Sequence, residues 1–221
     1  MNKLIPAIFV GAAFSAAPVA HGTERVTFAV GEGRFSIPVP DGYCVPDGSD
    51  RELLDLTASG DKQNITPVSL IRCERRNHPD GIGFDYVLIK APRKVLAARI
   101  DRAEFLKMMA PEMGKADWQD HQGQEILGGV SKDMSDALGS DISVTGSIGP
   151  HGVDSDCAYL GGTLEVETIT GKRSILVGGC MTTTGEKIMT VNTYAAADTP
   201  GGVARQMRRA HDLAMQIRPA P

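Results

Sequence analysis

Alternating apolar and polar positions from Thr23 to Val30 and from Arg34 to Val39 flank Gly31-Glu32-Gly33, and predict a β-hairpin. Pro38, Pro40, Asp41 and Gly42 end its second strand, and Tyr43-Cys44-Val45 follows. Ser49 and Glu52 have the spacing of a capping box, with Leu53, Leu54 and Leu56 as the apolar face of a short helix that Gly60 stops. Strands are expected at Val68 to Cys73 and Phe84 to Ile89, joined by the turn-rich stretch Arg75 to Gly81. Val95 to Ile100 reads as a turn or short helix after Pro92. Asp101 is placed to cap a second helix whose core face is Phe105, Leu106, Met108 and Met109.

Lys115 to Ser140 is polar and Gly-rich, with a faint helical recurrence at Ile126, Leu127, Val130 and Met134. Four strands then follow at Ile142 to Ile148, Ala158 to Thr170, Ser174 to Thr182 and Lys187 to Tyr194. Their short Gly-rich connections make them antiparallel neighbours. Thr199 as N-cap and Pro200 as first helical residue predict a final helix, with Val203, Met207, Ala210, Ala214 and Ile217 on one face and Arg205, Arg208, Arg209 and Arg218 elsewhere. No internal repeat, linker or charge block divides the chain.

The first 20 residues stand apart. Lys3 precedes an apolar run from Leu4 to Val10 and then a small-residue stretch ending at Ala20, the layout of a secretory signal peptide cleaved after Ala20 or Gly22. The expectation is a signal over 1–20 and one α+β domain over 21–221, periplasmic or secreted. The 221 residues contain 23 Lys and Arg against 27 Asp and Glu, a formal net charge of −4. Removing the leader takes away one more positive charge and no acid. That balance argues against a nucleic-acid binder, which needs a basic footprint. No second apolar run has the ~20 residues that cross a bilayer, so stable membrane insertion is not expected.

An exported chain with an even number of cysteines points to disulfides. Cys44, Cys73, Cys157 and Cys180 allow three connectivities; the sequence neighbours, Cys44 with Cys73 and Cys157 with Cys180, are preferred. The second pair meets an objection. A turn at Thr170-Gly171-Lys172-Arg173 would place Cys180 opposite Thr163 rather than Cys157.

The order of elements resembles the PsbP/Mog1-like α/β/α sandwich, with Phe35-Ser36-Ile37-Pro38-Val39-Pro40-Asp41-Gly42-Tyr43 as the motif-like stretch. The resemblance implies a mainly antiparallel sheet flanked by helices. It also implies an accessory or binding role, since the family includes photosystem accessory proteins and a Ran-binding protein. It transfers no functional residue.

Candidate chemistry lies in three places. His78, Asp80 and Asp85 offer an imidazole and carboxylates to a metal or a proton transfer, as do His151, Asp154 and Asp156. Trp118 and His121 can line a ligand site. Turn formation and solvation are the preferred explanation of the first two sets. Nucleophile-elbow, zinc-protease and phosphate-loop motifs are absent. The expected function is an exported, disulfide-stabilised accessory protein that binds an envelope protein or small ligand and uses no cofactor. A metal-assisted hydrolase and a thiol-redox protein are the rivals.

Overall fold

The computed structural model describes residues 24–115, 122–169 and 171–221. The leader and the Trp118–His121 pair lie outside these residues. In chain order the elements are β1 (Arg25–Val30), β2 (Gly33–Pro38), β3 (Tyr43–Cys44), α1 (Gly48–Gly60), β4 (Asn64–Arg72), β5 (Tyr86–Pro92), α2 (Arg102–Met113) and α3 (Gln122–Leu138). Then come β6 (Ser143–Val153), β7 (Ala158–Thr168), β8 (Gly171–Thr184), β9 (Lys187–Ala196), α4 (Gly202–Ala214) and β10 (Arg218–Pro219). Seven strands form one antiparallel sheet in the order β3-β4-β5-β9-β8-β7-β6, and β1-β2-β10 form a second, small sheet. The class is α+β, mainly antiparallel, with two disulfides.

Side-chain alternation along the large sheet assigns its two faces. Cys180, Met189 and Val191 point to one side, where Phe28, Val30, Phe35 and Ile37 of the small sheet and Ala210 and Leu213 of α4 close the largest core. Val144, Leu164, Ile175 and Val177 point to the other side and meet Leu127 of α3. Phe105, Leu106 and Met113 of α2 pack nearby on Ala158. α1 rests against α3, with Gly60 over the Asp133 backbone. Helices therefore cover both faces of the sheet.

The caps divide by backbone chemistry. Asp101 caps α2 as expected, accepting from the Glu104 N–H at 2.8 Å. Ser49 does not cap α1: the helix starts two residues earlier, at Gly48 behind Asp47, and no side chain caps it. Thr199 and Pro200 do not open α4. Gly201 and Gly202 have φ of 87° and 56°, left-handed values that cannot lie inside a right-handed helix, so the helix starts at the glycines. The faint periodicity after Lys115 is the 17-residue α3.

The β7–β8 hairpin turns two residues earlier in the chain than its sequence suggests. Its last pair is Thr168 with Gly171, so Cys180 lies opposite Tyr159 and not Thr163. Cys157 then falls two residues from that pair, on the same face, with its Cα 5.3 Å from that of Cys180. The objection to this bridge disappears. Cys44 and Cys73 are joined as well, at a Cα separation of 5.0 Å, and no cysteine is free.

Beneath α1, Asp61 accepts from Lys90 Nζ at 2.9 Å and from the Asn64 N–H at 2.8 Å. Burial opposes its charge, but Lys90 and Asn64 outweigh burial and hold its carboxyl below the usual carboxylate range. Because the folded state depresses this pKa, the stability it contributes is present above the unfolded value and is lost as pH falls through the folded one. Asp61→Asn is thus expected to be less stable than the parent at pH 7. The two proteins should converge in acid below the carboxylate range, as read by urea melts across pH. A difference that persists unchanged into strong acid would contradict this.

Candidate functional site

Asp85 precedes β5 and does not bond to His78 or Asp80. His78 Nδ1 accepts from the Asp80 N–H at 3.1 Å, and the Gly81 N–H donates to the His78 carbonyl at 2.9 Å, so His78 and Asp80 close their own turn. In the β6–β7 connection, Asp154 accepts from the N–H groups of Asp156 and Cys157, both at 2.8 Å. Asp156 takes Arg102 at 2.9 Å. His151 is exposed on β6 and joins neither aspartate. Among the described residues, no group of three or more His, Cys, Asp or Glu is placed to hold a metal ion.

Asp154 instead belongs to a relay. Tyr159 donates its hydroxyl to Asp154 at 2.7 Å, and the same oxygen lies 2.7 Å from His211 Nδ1. That nitrogen is 3.6 Å from Cys157 Sγ. Burial opposes charge on Asp154, but the Tyr159 hydroxyl and the two N–H groups hold its carboxyl below the usual range. Cys157 and Cys180 are both 0% exposed, so this relay ends at a bond closed to solvent.

The second cluster surrounds Tyr43, the last residue of the motif-like stretch. Its hydroxyl donates to Asp85, which also accepts from Arg209 Nη1 at 2.8 Å. The Arg209 guanidinium lies 4.5 Å over the Tyr43 ring and that of Arg72 5.1 Å from the ring centre, both as cation–π contacts. Burial and the Asp85 carboxylate push the Tyr43 hydroxyl up to about 12, against the opposing pull of Arg209. Tyr43 therefore stays neutral near pH 7 and serves as a platform for cations.

Beside this platform is an open cleft of about 360 Å³ lined by Pro40, Arg205, Arg208, Arg209, Asp212 and Leu213. Its α4 residues recur at three- and four-residue steps, which puts them on one helix face. Arg205 donates to the Pro200 carbonyl at 3.2 Å. Arg209 Nη2 is buried without an acceptor, and Arg208 is exposed with no ion pair among the described residues. The helix pattern already placed these arginines away from the core face. It carried no sign of Tyr43, Asp85 or Pro40, which reach α4 through two separate loops.

No family model matches this chain, and no curated protein matches it in sequence. Two solved structures show a distant likeness. One is the solution structure of cyanobacterial PsbP (CyanoP) from Synechocystis sp. PCC 6803, 12% identical, with a TM-score of 0.42 over 94% of this chain and 99% of that one. The other is LpqN of Mycobacterium tuberculosis, described as involved in cell envelope biogenesis, 14% identical, with a TM-score of 0.32 over 90% and 91% of the two chains. Both scores are too low to bear on function.

Proposed function

We propose that this is an extracytoplasmic accessory protein that holds a carboxylate-bearing segment of a partner protein in the α4 cleft. One observation carries the reading. Arg205, Arg208 and Arg209 converge on a single cleft in a chain whose overall charge is negative. Guanidinium groups suit carboxylates because their paired N–H donors match the two oxygens. Pro40 and Leu213 add an apolar rim that suits a peptide. Asp212, in the same cleft, disfavours a multiply charged phosphate more than a single carboxylate. Two disulfides fit an oxidising compartment. Among the described residues, no helix is long and apolar enough to cross a membrane.

Beside the cleft, Asp85 joins the Tyr43 hydroxyl and Arg209, which holds one of the cleft's guanidinium groups in place. Exposed ion pairs are weak and screened by salt, so the interaction should be modest and salt-sensitive. The test is fluorescence anisotropy of a labelled glutamate-rich hexapeptide at low and high salt, with tripolyphosphate in a parallel titration. The peptide should bind the parent, and Arg205→Glu/Arg208→Glu should weaken it by about tenfold or more. Equal affinity in the double variant, or tripolyphosphate binding in place of the peptide, would overturn the reading.

A further inference from the structure

We propose that the Cys44–Cys73 disulfide is the reducible one of the two and that its redox state sets the affinity of the arginine cleft. The second half rests on the cleft being the binding surface. Exposure separates the two bonds. Cys157 and Cys180 are 0% exposed and lie in the main core. Cys73 is exposed, at the start of a short 3₁₀ turn just past β4. It sits in the run Arg72-Cys73-Glu74-Arg75-Arg76, three cations and one acid. Arg72 and Arg76 are themselves paired with Glu74 at 3.6 Å and Asp47 at 3.5 Å, so access to solvent, more than charge, favours exchange at this residue.

The reaction needs a reductant, and its chemical class is an external dithiol. One thiolate of the dithiol attacks Cys73 Sγ. The protein S–S bond breaks, and Cys44 leaves as a thiolate and takes a proton. The second thiol then attacks the mixed disulfide and releases Cys73, which is protonated in turn. The dithiol is oxidised to its own disulfide, and two electrons and two protons pass to the two cysteines.

The bond clamps the residues that build the platform. β3 is only two residues long, with Tyr43 opposite Arg72 and Cys44 opposite Ile71. The Cys73 N–H donates to the Gly42 carbonyl at 3.0 Å. Cys44 directly follows Tyr43, and Cys73 directly follows Arg72. β3 is a two-residue strand at the sheet edge, held by this bridge together with the contacts of Tyr43. Opening the bridge frees β3, and with it the ring that carries Arg209 and the hydroxyl that shares Asp85. Arg209 then loses its fixed place in the cleft. By linkage, a ligand that prefers the clamped state must protect the disulfide to the same degree.

The experiment titrates the oxidised full-length protein with dithiothreitol under native conditions. It follows each cysteine by alkylation and mass spectrometry, β3 by hydrogen exchange of the segment around Tyr43, and binding by the glutamate-rich hexapeptide. Expected results are alkylation of Cys44 and Cys73 before Cys157 and Cys180, faster exchange around Tyr43, and a loss of peptide affinity of about tenfold. Peptide should also slow the reduction. Cys44→Ser/Cys73→Ser should copy the reduced state; where that variant does not fold, the reduced parent supplies the same readouts. Reduction of Cys157–Cys180 first, or unchanged exchange and affinity after selective reduction, would overturn the proposal. A peptide that fails to bind the oxidised protein would remove the cleft reading and the affinity claim with it. Alkylation order and hydrogen exchange would still decide whether this bond is the labile clamp.

Discussion

Gly178→Ala is expected to lower stability by about 3 kcal/mol or to prevent folding, because the new methyl group would meet backbone and not a movable side chain. Gly178 lies on β8 directly under α4. A Cβ there would sit 2.5 Å from the Gln206 carbonyl carbon and 2.7 Å from Gln206 Cβ, and would also strike Met207 N. Neither partner can yield. Gln206 is 1% exposed, and its carbonyl accepts from Thr193 Oγ1 at 2.8 Å, which fastens the helix to β9 at this height. The variant must lift α4 from the sheet, which opens the core that contains Ala210 and Leu213. Gly161, the cross-strand partner of Gly178, is the control. There the nearest atoms are Val203 Cγ1 at 2.6 Å and Met207 Sδ at 3.2 Å, the ends of side chains that can rotate away. Gly161→Ala should cost roughly 1 kcal/mol, at the mild end of overpacking. Urea unfolding of both variants checks the pair. Equal losses would mean that contact with the α4 backbone is not what makes glycine necessary at 178.

The second large effect is expected from Cys157→Ala/Cys180→Ala. The bond closes a loop with a sequence separation of 23, and loop-closure entropy assigns it about 3 kcal/mol. Both sulfurs are fully buried, so their removal also leaves unfilled volume in the core. For a domain of this size the sum corresponds to a fall in Tm of roughly 10 °C. The urea m-value should rise, since the opened denatured chain exposes more surface. The measurement is paired thermal and urea melts of the variant and the oxidised parent. A fall of only a degree or two would mean that the hairpin and the α4 core hold this region without the bridge.

The two bridges show where sequence reading reaches and where it stops. An even count of cysteines behind an export-like leader is a compositional fact, and it pointed to disulfides. Which cysteine faces which depended on hairpin register, and register depended on a turn two residues earlier than expected. The resulting four-residue change of partner, from Thr163 to Tyr159, is invisible in the alternation of β7 and β8, because an even shift leaves every side chain on the same face. The caps follow the same logic. Asp101 was legible because one side chain and one N–H three residues on decide it. Thr199 was not, because the left-handed glycines at the N-cap, Gly201, and at the first position of α4, Gly202, override its capping potential.

The candidate site divides in the same way. The α4 arginines were legible as a polar helix face. His78, Asp80, His151, Asp154 and Asp156 attracted notice by proximity in sequence. The structure uses His78 and Asp80 to close one turn, Asp154 to anchor Tyr159, and Asp156 to hold Arg102. Asp85, grouped with His78 at first, joins Tyr43 and Arg209 instead.

Local pattern alone determined most strands and helices of this protein, the α+β class and the expectation of two disulfides. Periodicity and turn chemistry act over a few residues, and they suffice for such features. Tertiary packing alone decided that Tyr43, Arg72, Asp85 and Arg209 meet, that Pro40 walls the cleft, and that one disulfide is buried while the other lies at the exposed edge. Asp85 and Arg209 alone lie 124 positions apart in the chain. Only the pairing of β3 with β4 and the seating of α4 on glycine bring them together, and no short-range signal encodes either.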